Sequence, residues 1–204
     1  MSSRAVLAAI AVLWLVSACA WEVIDLSEPT PALSTGGERL DFTVAVVPGS
    51  FDASRLLADG VTEHFARELR DAELFQAVMH PVPQGARPIW QIELAARDEA
   101  REPDQNFWKS FAASALPPVA LFVHFENDFS LELRALLLRN RELVATYVGR
   151  GSIRHRYQTY ADRQGMEAQA LDRLARRATA EIIAGVVADA GRLRAEDRAR
   201  AGQR

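Results

Sequence analysis

The sequence is poor in the residues from which most metal and redox sites are built. It contains a single cysteine, Cys19, so a disulfide within the chain and a cysteine-rich zinc site are both excluded. Its four histidines show no HExxH or similar metal-binding spacing. The chain also lacks a GxSxG nucleophile elbow and a GxGxxG phosphate loop between a strand and a helix. We therefore expect a protein that is not an enzyme and that holds no metal and no cofactor.

The sequence has no excess of positive charge. It carries 24 Lys+Arg residues against 27 Asp+Glu residues, a formal net charge of −3 at pH 7. Lys109 is the only lysine, and the arginines are scattered along the chain. A nucleic-acid-binding domain needs a basic patch or stripe on its surface, so we expect no nucleic-acid partner.

The apolar run at the N terminus is too short to cross a membrane. Arg4 is followed by twelve uncharged residues, 5–16, and then by the small residues Ser17 and Ala18. A membrane-spanning helix needs roughly 20 apolar residues. A short basic segment, a short apolar segment and a small-residue cleavage site are typical of a secretory signal peptide. We expect residues 1–18 to be such a peptide.

The position of the single cysteine has a specific explanation. The sequence Val16-Ser17-Ala18-Cys19 resembles the bacterial lipobox, in which an aliphatic residue and two small residues precede a cysteine. The resemblance implies transfer of a diacylglyceryl group to the Cys19 sulfur, cleavage before Cys19 and acylation of the new amino group by a fatty acid such as palmitate. Two or more acyl chains hold a protein stably at a membrane. The alternative is an ordinary thiol in a signal peptide that is discarded.

The segment after Cys19 indicates where the protein is held and how far it reaches. Ala20 stands where many lipoproteins of the inner membrane carry Asp, and by analogy this favours the periplasmic face of the outer membrane. Residues 19–39 are rich in Pro, Gly, Ser and Thr, which predicts a lipidated N terminus and a flexible tether. We expect a single α/β domain over residues 40–196 and a charged tail over 197–204.

Hydrophobic periodicity predicts the elements of this domain. The expected fold class is α/β (α+β), with a small mixed β-sheet of about five strands packed by an early helix and a long C-terminal helix. Gly149 and Gly151 are expected to mark a bulge in the second strand of a hairpin. The predicted strands cover residues 40–48, 73–82, 87–97 and a hairpin over 128–157 that turns at "RNRE"; the predicted helices cover 54–70 and 165–196.

The apolar stretch at 107–125 allows two interpretations. One is a core strand with a hydrophobic connection before it. The other is an exposed apolar patch or loop that dips into the membrane or docks on a partner, with 107–116 a short helix or a loop. Phe107, Trp108 and Phe111 would then be the anchors, spaced for one side of a helical turn, with Lys109 reaching phosphate.

A second candidate contact lies in "RHRY", residues 154–157. A strand there places Arg154 and Arg156 on one face. In one interpretation they contact acidic lipid headgroups or a partner. In the other they belong to an ordinary solvated strand at the edge of the sheet.

Two segments carry a family resemblance. "VAVVPGSFD" (44–52) and "LADGVTEHFARELRDAELFQAV" (57–78) resemble the opening of bacterial envelope lipoproteins with a TolB amino-terminal-like domain, a group that includes the curli secretion lipoprotein. The resemblance implies a small α/β domain for protein contacts, without catalysis. We expect an accessory or scaffold subunit of a cell-envelope assembly, transport or cell-wall machine, with envelope protein partners. The alternatives are a homo-oligomeric component of an export channel and an envelope hydrolase with an unrecognised site.

Overall fold

The computed structural model describes residues 21–25, 39–52, 58–115, 123–158 and 163–201. The predicted signal peptide, Cys19, most of the predicted tether and the end of the charged tail lie outside the described residues. Residues 116–122 of the apolar stretch also lie outside them.

The described residues form a mixed sheet and three helices. The sheet has the strand order β1-β6-β5-β4-β2-β3. β2 runs parallel to both of its neighbours, whereas β1 is antiparallel to β6. This architecture confirms the predicted fold class, with its early helix and its long C-terminal helix. The elements are β1 Trp21–Asp25, β2 Leu40–Asp52, α1 Ala58–Asp71, β3 Phe75–Met79, β4 Trp90–Arg101, α2 Gln105–Ala115, β5 His124–Arg139, β6 Glu142–Gln158 and α3 Arg163–Ala201.

The sequence pattern explains why β2 is internal and why α1 packs on one side. Val44, Ala45 and Val46 are consecutive and all buried, as expected for a strand that is covered on both faces and paired on both edges. In α1, Val61, Phe65 and Leu69 recur every four residues and are buried, while the charged residues between them stay in water.

The hairpin of β5 and β6 turns at the predicted position. Asn140 and Arg141 connect the strands, with φ angles of 49° and 70°. Positive φ at both central residues is the geometry of a type I′ turn, whose twist matches that of the flanking strands. The apolar face predicted for β5 is buried; its members are Phe129, Leu131, Leu133, Ala135 and Leu137.

Gly149 permits a close contact that the sequence did not predict. β6 continues without interruption from Glu142 to Gln158, and Gly149 lies buried within it. A Cβ atom on Gly149 would lie 2.0 Å from the carbonyl oxygen of Ala178 in α3. The glycine therefore permits the close approach of a strand and a helix, which the sequence pattern does not distinguish from a bulge. The predicted stripe of α3 is buried; it consists of Leu171, Leu174, Ala178, Ile182, Val186, Ala190 and Leu193.

Contacts divide the chain into two compact units, where the sequence predicts one domain over residues 40–196. Among the described residues, the first unit contains β1, α2, the start of β5 up to Ser130, the end of β6 from Ser152 and the start of α3 up to Asp172. The second unit contains β2, α1, β3, almost all of β4 and the remaining parts of β5, β6 and α3.

β1 lies within the segment that the sequence predicts as a tether. Its five residues pair with β6, with Trp21 opposite Tyr157 and Asp25 opposite Ile153. The pairing satisfies main-chain hydrogen-bonding groups along the edge of β6. Residues 26–38 of the predicted tether lie outside the described residues.

Candidate functional site

Three aromatic side chains stand out from α2 into solvent. Phe107 and Trp108 are each 69% exposed and Phe111 is 65% exposed. The ring centroids of Phe107 and Trp108 lie 5.4 Å apart, and those of Trp108 and Phe111 lie 6.4 Å apart, both in edge-on geometry. We call these three side chains the aromatic surface. The two interpretations of the apolar stretch apply to different parts of that stretch. Its first residues form the exposed aromatic surface, whereas Phe125 in β5 is part of the core.

A buried asparagine holds α2 in this orientation. The Asn106 amide nitrogen donates to the carbonyl oxygen of Glu126 at 2.6 Å, and the Glu126 main-chain nitrogen donates to Asn106 Oδ1 at 3.2 Å. Gln105 Nε2 also donates to Glu126 Oε2 at 3.3 Å. The polar side chain thus faces the protein and the aromatic side chains face water, the reverse of an ordinary amphipathic helix. Sequence reasoning did not identify Asn106, which follows Gln105 and stands directly before the apolar stretch.

The attachment of α2 rests on a small core in the first unit. Phe125, Tyr157 and Met166 are buried together, and Val123 packs against them. The rings of Phe125 and Tyr157 stack with centroids 5.7 Å apart. Tyr157 donates a long hydrogen bond of 3.5 Å to Asn127 Oδ1, the atom that also accepts from Asn106. The helix that carries the aromatic surface is therefore attached to a packed core.

The two predicted arginines both bind carboxylates of β5. Arg154 forms a bidentate pair with Asp128, with Nε–Oδ1 and Nη2–Oδ2 distances of 2.7 and 2.9 Å. Arg156 Nη2 lies 3.1 Å from Glu126 Oε1. The hydrogen bonds from Arg154 hold the pKa of Asp128 below its ordinary value of 3.8, against the opposing effect of burial. Because both arginines are bound to carboxylates, this geometry favours the interpretation as an ordinary solvated strand over the interpretation as a contact site.

The described parts of the chain contain no arrangement that suggests a metal site or a membrane span. No group of three or more His, Cys, Asp or Glu side chains among them is placed to hold a metal ion. None of their helices is long and apolar enough to cross a membrane. His124, at the start of β5, lies 3.3 Å from the amide of Gln158.

The second unit contains a cleft of about 380 Å³ that sequence reasoning did not predict. The guanidinium of Arg139 lies 5.4 Å from the ring centroid of Trp90, and its Nη2 lies 3.0 Å from Asp197. Trp90 Nε1 also donates to Asp197 at 3.3 Å, and the ring of Phe42 stacks on Trp90 at 4.3 Å. Most polar groups of the cleft thus bind one another. Arg139 Nε has no partner among the described residues, but it is fully buried.

Comparison with known proteins shows the fold and no family. A scan against protein-family models and a search of curated proteins gave no match. A solved structure of a Xanthomonas campestris protein of family DUF330 aligns with a TM-score of 0.53 at 13% identity, covering 85% of this chain and 97% of that one. The two proteins share a fold.

Two further solved structures are similar at lower TM-scores. A hypothetical protein from Chlamydia trachomatis gives 0.45 at 12% identity, covering 74% of this chain and 98% of that one. Uncharacterized lipoprotein B from Nitrosomonas europaea gives 0.43 at 13% identity, covering 80% of this chain and 92% of that one. At these identities the similarity concerns the fold alone, and the resemblance to TolB-like lipoproteins stays a prediction.

Proposed function

We propose that the protein is a lipid-anchored lipoprotein of the bacterial envelope that works without catalysis, as an accessory or scaffold subunit of an assembly, transport or cell-wall machine. Cys19 carries the anchor, and the aromatic surface on α2 docks on another component of the envelope. By the lipobox and Ala20, the location is the periplasmic face of the outer membrane. The observation that carries the proposal is the outward presentation of three aromatic side chains by a helix whose polar Asn106 faces inward.

The size of the aromatic surface supports a docking role. A fully buried aromatic side chain removes 150–250 Å² from water, so side chains about two-thirds exposed each leave on the order of 100 Å² uncovered. At about 25 cal/mol per Å², covering all three contributes on the order of 5–8 kcal/mol before the costs of association. A cluster of that strength is typical of the anchors at the centre of an interface.

Three carboxylates bound by arginines have electrostatics that support a structural role for them. Hydrogen bonds from Arg154, Arg150 and Arg192 lower the pKa values of Asp128, Glu132 and Asp189 respectively. A general acid at neutral pH needs a carboxyl group whose pKa is raised. These three carboxylates are shifted in the opposite direction.

The docking role is tested by thiol accessibility in isolated envelopes. Once Cys19 is acylated, its sulfur does not react, so Phe111→Cys carries the single free thiol of the chain. Leu143→Cys is the matched control, because Leu143 is 60% exposed and lies in the second unit. We expect a maleimide to label Phe111→Cys several-fold more slowly in envelopes than in the purified protein, and Leu143→Cys at the same rate in both. The thermal transitions of both variants should match that of the wild type.

Two results would contradict the proposal. Equal labelling of Phe111→Cys in envelopes and in the purified protein would show that nothing covers the aromatic surface. Turnover of esters or glycans by the purified full chain, together with no protein co-purifying in mild detergent, would favour an envelope hydrolase.

A further inference from the structure

We infer that the component covering the aromatic surface is the lipid bilayer itself, so that the first unit is held at the membrane by two points, the acylated Cys19 and α2. This inference rests on the proposed lipid anchor. It adds that the bilayer is what contacts α2, and it orients the first unit with α2 toward the membrane.

The chain between the anchor and the first unit is very short. β1 begins at Trp21, two residues after Cys19. Two residues span at most about 7 Å when extended. Because Trp21 is paired with Tyr157, the described chain enters β1 beside the end of β6. Acyl chains attached two residues earlier would therefore leave no long tether before the first unit.

The same end of the first unit carries α2. Tyr157 contacts Asn127 through its hydroxyl and stacks on Phe125, so the end of β6 lies beside the start of β5. Asn106, in the first turn of α2, bonds to the main chain of Glu126 in that part of β5. The start of β1, the end of β6 and the start of α2 therefore lie together. An acylated Cys19 brings the membrane to the end of the unit from which the aromatic surface projects.

The chemistry of the aromatic surface fits the boundary between headgroups and acyl chains. Tryptophan is enriched at that depth, and helices with an apolar face lie in the plane of the interface. Lys109, next to Trp108, is half-buried and has the long stem that lets an ammonium group reach phosphate. Because the anchor already holds the protein at the bilayer, contact by α2 is intramolecular in effect and needs no further association step.

Charge does not drive this contact. Arg154 and Arg156 are bound to Asp128 and Glu126, so they offer anionic headgroups little free positive charge. Contact should therefore occur on zwitterionic phosphatidylcholine and persist in high salt, which screens exposed charges within a few ångströms.

Depth-dependent quenching of Trp108 tests the inference. The full chain, produced with its signal segment and acylated, is reconstituted in phosphatidylcholine vesicles that carry bromine at a shallow acyl position. Trp21→Phe removes the neighbouring tryptophan, and Trp90 is buried in the second unit. We expect bromine to quench the emission of the Trp21→Phe protein, and Trp108→Phe in the same background to lose most of that quenching. Adding Trp108→Phe should leave the thermal transition of the Trp21→Phe protein unchanged, because Trp108 is exposed.

The outcomes separate the inference from the proposed function. Acylation of Cys19 by mass spectrometry with no bromine quenching of Trp108 would overturn the bilayer contact and leave the lipoprotein in place, with a protein as the docking partner. Quenching that requires phosphatidylglycerol or disappears in high salt would also overturn it, because the contact would then depend on charge. Absence of acyl chains on Cys19 would overturn the proposed function itself.

Discussion

At the scale of single residues, Gly149 leaves the least room for a Cβ atom among the described glycines. Gly149 lies in β6 where the backbone of α3 passes, and any Cβ there would meet the carbonyl oxygen, carbonyl carbon and Cα of Ala178 at 2.0–2.8 Å. The backbone of α3 cannot move aside to make room for a Cβ atom as easily as the end of a flexible side chain can. The contact therefore depends on the absence of a side chain at this position.

We predict that Gly149→Ala lowers the free energy of unfolding by at least about 2 kcal/mol, because α3 must move away from β6. Gly191→Ala is the matched control, since a Cβ at Gly191 of α3 has nothing within 4 Å. It should raise stability by about 0.5–1 kcal/mol through helix propensity. Chemical denaturation of both variants measures the difference. A Gly149→Ala protein as stable as the wild type would show that the two elements separate easily.

At the scale of elements, ion pairs link β5 to β6. Asp128 in β5 binds Arg154 in β6 through two hydrogen bonds, and Glu126 binds Arg156. Arg150 of β6 likewise binds Glu132 of β5 at 2.7 Å. Exposed pairs of this kind contribute little individually, whereas a bidentate arginine–carboxylate pair with good geometry contributes more.

The Asp128–Arg154 pair predicts a dependence of stability on pH. The pKa of Asp128 is lower in the folded protein than its ordinary value of 3.8, so the pair stabilises the fold above about pH 4. That contribution is lost as the pH falls through the folded-state pKa. We predict that Asp128→Asn lowers the melting temperature at pH 7 and makes it fall less steeply between pH 5 and pH 3.

The partner residue supplies the control for this prediction. Arg154→Met removes the same pair from the other strand and should reduce the acid slope in the same way. Thermal unfolding followed by circular dichroism across this pH range measures both variants. If the melting temperature of either variant fell between pH 5 and pH 3 as steeply as that of the wild type, the Asp128–Arg154 pair would not be the cause of this pH dependence.

Arginine side chains from outside β3 bind its main chain. Arg39, just before β2, donates to the carbonyl oxygens of Phe75 and Gln76 at 3.3 and 3.0 Å. Arg70 of α1 donates to the carbonyl oxygen of Val78 at 3.3 Å. These hydrogen bonds add to the parallel pairing of β3 with β2.

At the scale of the whole molecule, the proposed anchor decides where the protein is found. In the proposed function, attachment depends on acyl chains at Cys19. We predict that Cys19→Ser moves most of the full chain from the membrane fraction to the soluble fraction after cell breakage. The aromatic surface alone holds it weakly, because one shallow contact contributes far less than two or three acyl chains. Immunoblots of the two fractions measure the effect.

The control for this fractionation is Trp108→Ser, which keeps the anchor and should stay in the membrane fraction. A Cys19→Ser protein that sediments with membranes as fully as the wild type would contradict anchoring through the cysteine.

Several features of the fold follow from the sequence alone, because they depend on neighbours along the chain. The four-residue recurrence of Val61, Phe65 and Leu69 placed α1 and its buried side, and the alternation after Phe129 placed the inner face of β5. The turn at residues 139–142 was predicted from its composition. The aromatic side chains of α2 were also identified from their spacing, although their exposure was not settled.

Only the tertiary structure decided which segments meet. Asn106 reaches Glu126 across twenty positions, Arg139 and Trp90 meet Asp197 in a cleft, and Trp21 pairs with Tyr157 across 136 positions. Local periodicity carries no information about such pairs, because a hydrogen bond or a ring contact depends on where separate elements pack. The sequence by itself therefore determined the class of fold, the anchor as an expectation and the candidate surface. The packing of distant segments decided that this surface faces water, and that α2 lies beside the start of β5 in the first unit.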